Sequence, residues 1–509
     1  MNNNYSRGRK SILNSTSGFF KTLLVSIAGL VATKIYIKYF GSDFNGVMTT
    51  STQLMSALMV LEGGFTIASN VALYKPFEKR DFNTVNAILS ATKKRFELMS
   101  VLTMSVGIFA AILYGCLIKS SVHRLVIISI FVFTVLSVTA NFYISMKYRV
   151  IILTDQKEYV ISNITTITTL LGYILIIIAS IVLKKTWLIG AIVFLYSLSC
   201  YWGIAIYAKI HYKYINFNVK PNYKLISGSG DIFVQKVTSV LYSSMPTIAI
   251  SFVSTTMASV YGVYNMVFNV AKNVLSVFSQ APRLSFGSLL AEEKKNMEKI
   301  KNYTFIYEMI VLIMTSVCVV VVNTMIIPFL RLYLQGITDA EYINPIYAIL
   351  FGATTFVGSI HIPAGQIILM SGNFKVSKKI QIIAAIILAI LVPLLSYLFN
   401  ITGTLIAVLI ASVILAVAEI SFVHLKFFKN DIWKIVTAII ATIVSTAVQA
   451  FIGYKFVTSC NSVISFISTS LLVAIISTGI TVGLYFILFN KEMKNLIAML
   501  LRLFKKRGG

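Results

Sequence analysis

Within an apolar stretch near 257–286, five polar residues recur at Asn265, Asn269, Lys272, Ser276 and Gln280. Their spacing is that of one face of an α-helix, and Asn273 and Arg283 lie beside the same stripe. Amides and hydroxyls around an ammonium group suit a hydroxyl-rich ligand that carries phosphate. A continuous polar face cannot lie against lipid tails; it must face other helices or a wet cavity. Lys272 lies too deep in the stretch to snorkel easily, and a charge at such depth costs roughly 2.5–3.5 kcal/mol on insertion scales. One reading is a polar seam in which a carboxylate neutralises Lys272. The other, carried forward here, is a ligand surface lining a cavity.

A milder stripe of Thr49, Gln53 and Ser56 occupies the second apolar stretch, near 44–73. The same stretch holds Glu62 near mid-membrane, followed by Gly63 and Gly64, a pair that permits a bend or local unwinding. Burial raises a carboxyl pKa toward neutrality, so Glu62 is a candidate for ion coupling; it is equally a candidate structural partner for a lysine. Lys21 and Lys236 fall near the cytoplasmic ends of the first and seventh stretches, and Lys34 near the outer end of the first. Each either binds ligand or snorkels to the interface. Glu419 is deep and open to either role, whereas Glu308, nearer the cytoplasmic interface, reads as structural. The candidate substrate-binding set is therefore Lys272, Asn265, Asn269, Gln280, Gln53, Lys21, Lys34 and Lys236. The candidate ion-coupling set is Glu62 and Glu419. The deep charges are mainly cationic, which favours an anionic ligand over a cationic one.

These residues must be positioned by membrane-spanning helices. Of the 509 residues 57% are hydrophobic and only 12% charged. A span needs roughly 20 mostly apolar residues, and the chain holds about fourteen such stretches. The formal net charge is +27, from 44 Lys and Arg against 17 Asp and Glu. With a cytoplasmic N-terminus, the outer loops hold only Lys38, Lys119, Arg124, Lys184, Lys185, Arg331 and Lys455. The remaining basic residues fall mostly on cytoplasmic segments, a strong positive-inside bias that puts both termini in the cytoplasm. The excess charge is topogenic and faces anionic lipid rather than nucleic acid. Cys116, Cys200, Cys318 and Cys460 are scattered and the four histidines isolated. With no metal-ligand cluster, Walker A loop or GxSxG, the sequence reads as non-enzymatic and calls for no cofactor.

The chain also repeats itself at an offset of 216 to 217 residues. Arg149–Gln156 resembles Gln366–Asn373, and Gly46, Leu73 and Lys79 match Gly262, Leu289 and Lys295. The expected organisation is an N-terminal six-helix bundle over 1–213, a cytoplasmic linker over 214–230 and a C-terminal six-helix bundle over 231–430. Two additional helices follow over 431–490, then an amphipathic cytoplasmic tail over 491–509. Six is even, so the two bundles enter the membrane from the same side as parallel repeats. The fold class expected is an all-α polytopic membrane protein of two six-helix repeats plus two C-terminal helices.

Tyr39-Phe40-Gly41 with Asn45-Gly46 resembles the first loop of bacterial polysaccharide flippases of the Wzx type. Leu61-Glu62-x-Gly64 and Ala72-Leu73-Tyr74-Lys75-Pro76 resemble that family's second-helix signature, with Asp81 and Asn86 in its polar continuation. The resemblance implies a MATE-like fold of the multidrug/oligosaccharidyl-lipid/polysaccharide (MOP) exporter superfamily. It implies a bacterial inner-membrane location and transport of undecaprenyl-pyrophosphate-linked oligosaccharide repeat units for O-antigen or capsule assembly. H+ or Na+ would drive alternating access, with a glycan polymerase and chain-length regulator as partners. A lipid II flippase and a multidrug/cation antiporter are the rival readings within the superfamily. A membrane-embedded glycan polymerase or ligase is the rival outside it, but such enzymes need large outer loops with clustered Arg or His, which this chain lacks.

Overall fold

The computed structural model describes residues 7–62, 64–226, 230–292, 297–429, 432–457, 460 and 462–507. The described residues are helical, joined by short turns. Among the described residues ten helical segments are long and apolar enough to cross a membrane. Two of them, Arg9–Glu62 and Phe374–Phe427, have 54 residues each. At about 1.5 Å per residue that is roughly 80 Å, far beyond a hydrocarbon core of about 30 Å, so each must be divided. Gly41 (φ 84°) divides the first, and Phe399 with Asn400 (φ 54°) the second. The Ser396 and Thr404 hydroxyls lie 2.7 Å apart although eight positions separate them, which requires a sharp reversal there. Adding the helices over Gly230–Val253 and Thr255–Glu292 completes the fourteen or so spans expected.

Over two successive helices and their counterparts the backbone carries the repeat in a register of 216. Helix α5 (Met146–Thr154) corresponds to α12 (Ile362–Met370), and α6 (Glu158–Ile178) and α13 (Phe374–Ser421) begin at equivalent positions. Each short helix ends on the same three hydrogen bonds: Asp155, Gln156 and Lys157 N–H donate to Ile151, Leu153 and Ile152, as Ser371, Gly372 and Asn373 donate to Ile367, Leu369 and Ile368. The left-handed residue is Gln156 (φ 56°) in one copy and Gly372 (φ 80°) in the other. A second equivalent pair is Lys184 (φ 50°) and Asn400 (φ 54°). Side-chain similarity aligned Asp155 with Gly372, one position out, because the apolar run before the turn matches almost equally well in either register.

Packing divides the chain into unit 1, Met1–Ser259, and unit 2, Val260–Gly509. Unit 1 holds α1 (Arg7–Leu58), α2 (Phe65–Glu78), α3 (Phe82–Leu117), α4 (Arg124–Ala140), α5, α6, α7 (Thr186–His211) and α8 (Gly230–Val253), which packs on α1. Its core is built from residues such as Phe44, Leu73, Phe96, Phe131 and Phe142. Unit 2 holds most of α9 (Thr255–Glu292), then α10 (Met297–Tyr333), α11 (Pro345–Ile360), α12, α13, α14 (Trp433–Phe456), α15 (Val463–Leu488) and α16 (Asn490–Arg507). Its core includes Met309, Ile368, Val423 and Tyr485.

Candidate functional site

Helix α9 has two faces. Tyr261, Tyr264, Phe268, Ala271 and Leu275 recur at helical spacing and are buried. The Phe351 ring of α11 stacks on Tyr264 and Phe268 at centroid distances of 5.6 and 5.3 Å. The Tyr264 hydroxyl donates to the Tyr342 carbonyl at 2.9 Å and accepts from the Asn344 N–H at 3.1 Å, fixing the rotation of α9 about its axis. The opposite face carries the polar stripe. Asn269, Lys272 and Asn273 are exposed, and Asn265 and Ser276 half-buried. Among the described residues no carboxylate pairs with Lys272. The seam reading, in which a carboxylate neutralises that lysine, therefore finds no partner for it. The side chains of Gln280 and Arg283 lie outside the described residues.

In unit 1 the second span unwinds where Glu62 sits. Helix α1 gives way to a 3-10 turn over Met59–Glu62, and α2 starts after Gly64, whose φ of 77° is left-handed. A side chain at Gly64 would be strained, so the glycine is what lets the helix restart. Gly63 lies outside the described residues. Glu62 is buried, and its Oε1 is 3.0 Å from Lys236 Nζ on α8. A candidate coupling carboxylate and a candidate substrate lysine are thus bonded to each other. Gln53 is half-buried on α1 and Ser56 exposed; the Ser56 hydroxyl donates to the Thr52 carbonyl at 3.2 Å. Lys21 is half-buried and interacts electrostatically with Arg149 and Glu158. Lys34 is half-buried and makes an interaction within the chain.

The first-loop motif acquires a physical meaning. Gly46 approaches the chain so closely that a Cβ there would lie 1.7 Å from the Thr255 carbonyl oxygen. Asn45 beside it donates to the Ser259 hydroxyl at 2.7 Å. Asp43 accepts from the hydroxyls of Thr255 and Thr256 at 2.5 and 2.6 Å, and from Ser121. The start of α9 is therefore locked to α1 within unit 1.

Asp155 ties the start of α1 to the α5–α6 turn. Its carboxylate accepts from Lys10 at 2.9 Å, Lys157 at 2.7 Å and Tyr212 at 2.9 Å. Burial pushes this carboxyl up, but the hydrogen bonds from Lys157 and Lys10 outweigh it and hold Asp155 below the usual carboxylate range. For Lys157, burial pulls down, and the bond to Asp155 more than compensates, leaving it raised.

Two histidines that read as isolated are not. His361 Nδ1 lies 2.8 Å from Glu419 Oε2, and His424 Nε2 lies 2.9 Å from Glu308 Oε1. The sequence signal was four ionisable residues in three apolar stretches; nothing in it showed which would meet.

No family model and no curated protein matches the sequence. Solved structures do. A lipid II flippase, MurJ, in an inward closed conformation matches with a TM-score of 0.66 at 16% identity, over 93% of this chain and 99% of that one. An inward-facing multidrug resistance MATE family transporter of the MOP superfamily matches with 0.63 at 12% identity, over 86% and 98%. A eukaryotic MATE transporter, AtDTX14, matches with 0.52 at 12% identity, over 88% and 99%. At these identities the likeness is one of fold: this multi-pass membrane protein has the all-helical architecture of MOP superfamily transporters.

Proposed function

We propose that the chain is a flippase that moves undecaprenyl-pyrophosphate-linked oligosaccharide units across the bacterial cytoplasmic membrane by ion-coupled alternating access. The observation that carries this reading is the face of α9. An exposed lysine that pairs with no carboxylate among the described residues sits among exposed amides, on the side of the helix opposite its packed aromatic face. Such a surface is too polar for lipid and of the wrong sign for an organic cation. Lys272 attracts the pyrophosphate or acidic sugars, while Asn265, Asn269, Gln280 and Gln53 hydrogen-bond sugar hydroxyls. Lys21 and Lys34 add positive potential. Lys236 is held by Glu62 and becomes available when that pair opens, which links ligand and ion at one contact. Glu419 is the second ion-coupling carboxylate. Both termini lie in the cytoplasm.

The likeness to a lipid II flippase favours a second reading, in which the lipid-linked sugar is a peptidoglycan precursor. A multidrug antiporter is a third, disfavoured by the cationic stripe. Complementation separates them. The chain should restore surface glycan to a strain lacking its O-antigen or capsule flippase and should not rescue loss of the lipid II flippase. Rescue of the latter alone would replace the first reading with the second.

A further inference from the structure

Unit 2 contains two imidazole–carboxylate pairs, each with a buried carboxylate, that the ligand surface on α9 does not use. Both are built on α13 and the π-helical turn that follows it, Phe422–Phe427. Glu419 meets His361, which stands at the junction of α11 and α12. His424, in the π-turn, meets Glu308 of α10. One continuous segment thus offers a carboxylate to one neighbour and an imidazole to another. Both glutamate side chains are 3% exposed.

The surroundings are shaped to hold these groups. A Cβ at Gly365 would lie 2.7 Å from Glu419 Oε2, so only glycine lets that carboxylate occupy its place. Pro363 interrupts hydrogen bonding just after His361. Interrupted spans are where transporters bind coupling ions, and π-turns within helices recur at functional sites. Glu308 Oε2 is fully buried and accepts no hydrogen bond. A buried carboxylate with an idle oxygen is costly unless it serves some state of the protein other than this one.

The chemistry selects the ion. A hard metal cation collects several oxygen ligands, whereas here each carboxylate faces an imidazole nitrogen. Among the described residues no group of three or more His, Cys, Asp or Glu could hold a metal ion. We propose that the two pairs, Glu419–His361 and Glu308–His424, are proton-carrying sites of unit 2, each holding one exchangeable proton between imidazole and carboxylate. The proposal rests on the ion-coupled reading above; it names the ion and adds three residues to Glu419. With its proton each pair is neutral. Releasing it leaves a net negative charge in a dry helical bundle, which is disfavoured. The proton therefore stays while the pair is dry and passes to water when the packing around α12 and the π-turn opens.

Other polar and titratable groups bear on the pairs from the packed elements. Tyr485 of α15 interacts electrostatically with Glu308, and its hydroxyl lies 2.7 Å from that of Thr442 on α14. Helix α12 contributes Gln366, whose buried side-chain oxygen accepts no hydrogen bond. On α14, Lys434 is engaged by Glu492 of α16 at 2.6 Å.

The test uses the full chain in nanodiscs of phosphatidylethanolamine and phosphatidylglycerol, with no ligand added. Exposed His123 and His211 are replaced by glutamine, so the imidazole signals that remain belong to His361 and His424. As pH is raised, nitrogen NMR should show both rings losing the proton they share with their carboxylates only as the packing around α12 and the π-turn opens. Rate-corrected hydrogen exchange of residues 362–370 should change in parallel by about 5- to 150-fold. Glu419→Gln or His361→Gln should abolish the exchange response. Rings that lose that proton with no change in exchange at 362–370, rings that never lose it, or an unaltered response in Glu419→Gln, would overturn the proposal. The ring titration is made on intact pairs, so it decides the matter even where a variant fails to fold. Because no ligand is used, failure here leaves the α9 surface standing, and failure of that surface leaves these titrations in place.

Discussion

Gly46→Ala perturbs the contact that gives the first-loop motif its meaning. The added Cβ would stand 1.7 Å from the Thr255 carbonyl oxygen and 3.2 Å from the Ser259 nitrogen. Both neighbours are backbone, so no side chain can rotate away. The two segments must part by more than an ångström, which also stretches the 2.7 Å bond from Asn45 to Ser259. Overpacking of this kind costs about 1–3 kcal/mol, and the lost hydrogen bond adds roughly 1 kcal/mol. The natural control is Gly479→Ala, where nothing lies within 4 Å and helix propensity favours alanine. Thermal denaturation in detergent, followed by loss of the monodisperse peak on size exclusion, should show Gly46→Ala melting well below the parent and Gly479→Ala at or above it. Hydrogen exchange should rise at 255–259 in the first variant only. If Gly46→Ala melts with Gly479→Ala and exchange at 255–259 is unchanged, the close approach of α1 to the start of α9 is wrong.

Glu62→Gln leaves Lys236 without its anion and should destabilise the protein more than the double change Glu62→Gln with Lys236→Met. Breaking a fully buried pair costs about 3–5 kcal/mol, less here because the Lys236 side chain is 30% exposed. A double-mutant cycle in denaturant with no coupling energy would remove the pair from the account. Asp155 sets a pH window where the start of α1 meets the α5–α6 turn. Its folded pKa is depressed, so its contribution is present above the unfolded value of about 3.9 and is lost as pH falls through the folded one. Lys157 is raised, so its share is present below about 10.4 and is lost as pH rises through the folded value. Protease nicking near residue 14 should therefore be flat from about pH 5 to pH 9 and should rise at neutral pH in Asp155→Ala. A steep change near pH 7 in the parent chain would contradict that assignment.

What the sequence disclosed depended on whether a feature was local. The α9 stripe was legible because Asn265, Asn269 and Lys272 share a helical period, and depth in an apolar stretch marked them as unusual. The unwinding at Gly64 was legible from a glycine pair beside a carboxylate. The repeat was visible, but its register came from turn geometry, with Gln156 taking the left-handed conformation that Gly372 takes in the other copy. The two imidazole–carboxylate pairs were not legible: their members are 58 and 116 residues apart, and no periodicity relates them. The pairing of Glu62 with Lys236 was foreseen only as a kind of contact, a carboxylate with some lysine. Proximity across a bundle is decided by packing, and packing leaves no local trace in a uniformly apolar chain.

The central claim is that the face of α9 handles an anionic, sugar-bearing lipid through Lys272. Its most direct test is surface glycan in a flippase-null strain carrying Lys272→Ala, with membrane insertion measured by immunoblot and Lys272→Arg alongside. The account predicts that Lys272→Ala inserts at parental levels but exports little or no glycan, while Lys272→Arg retains part of the export. Normal glycan from Lys272→Ala would contradict it.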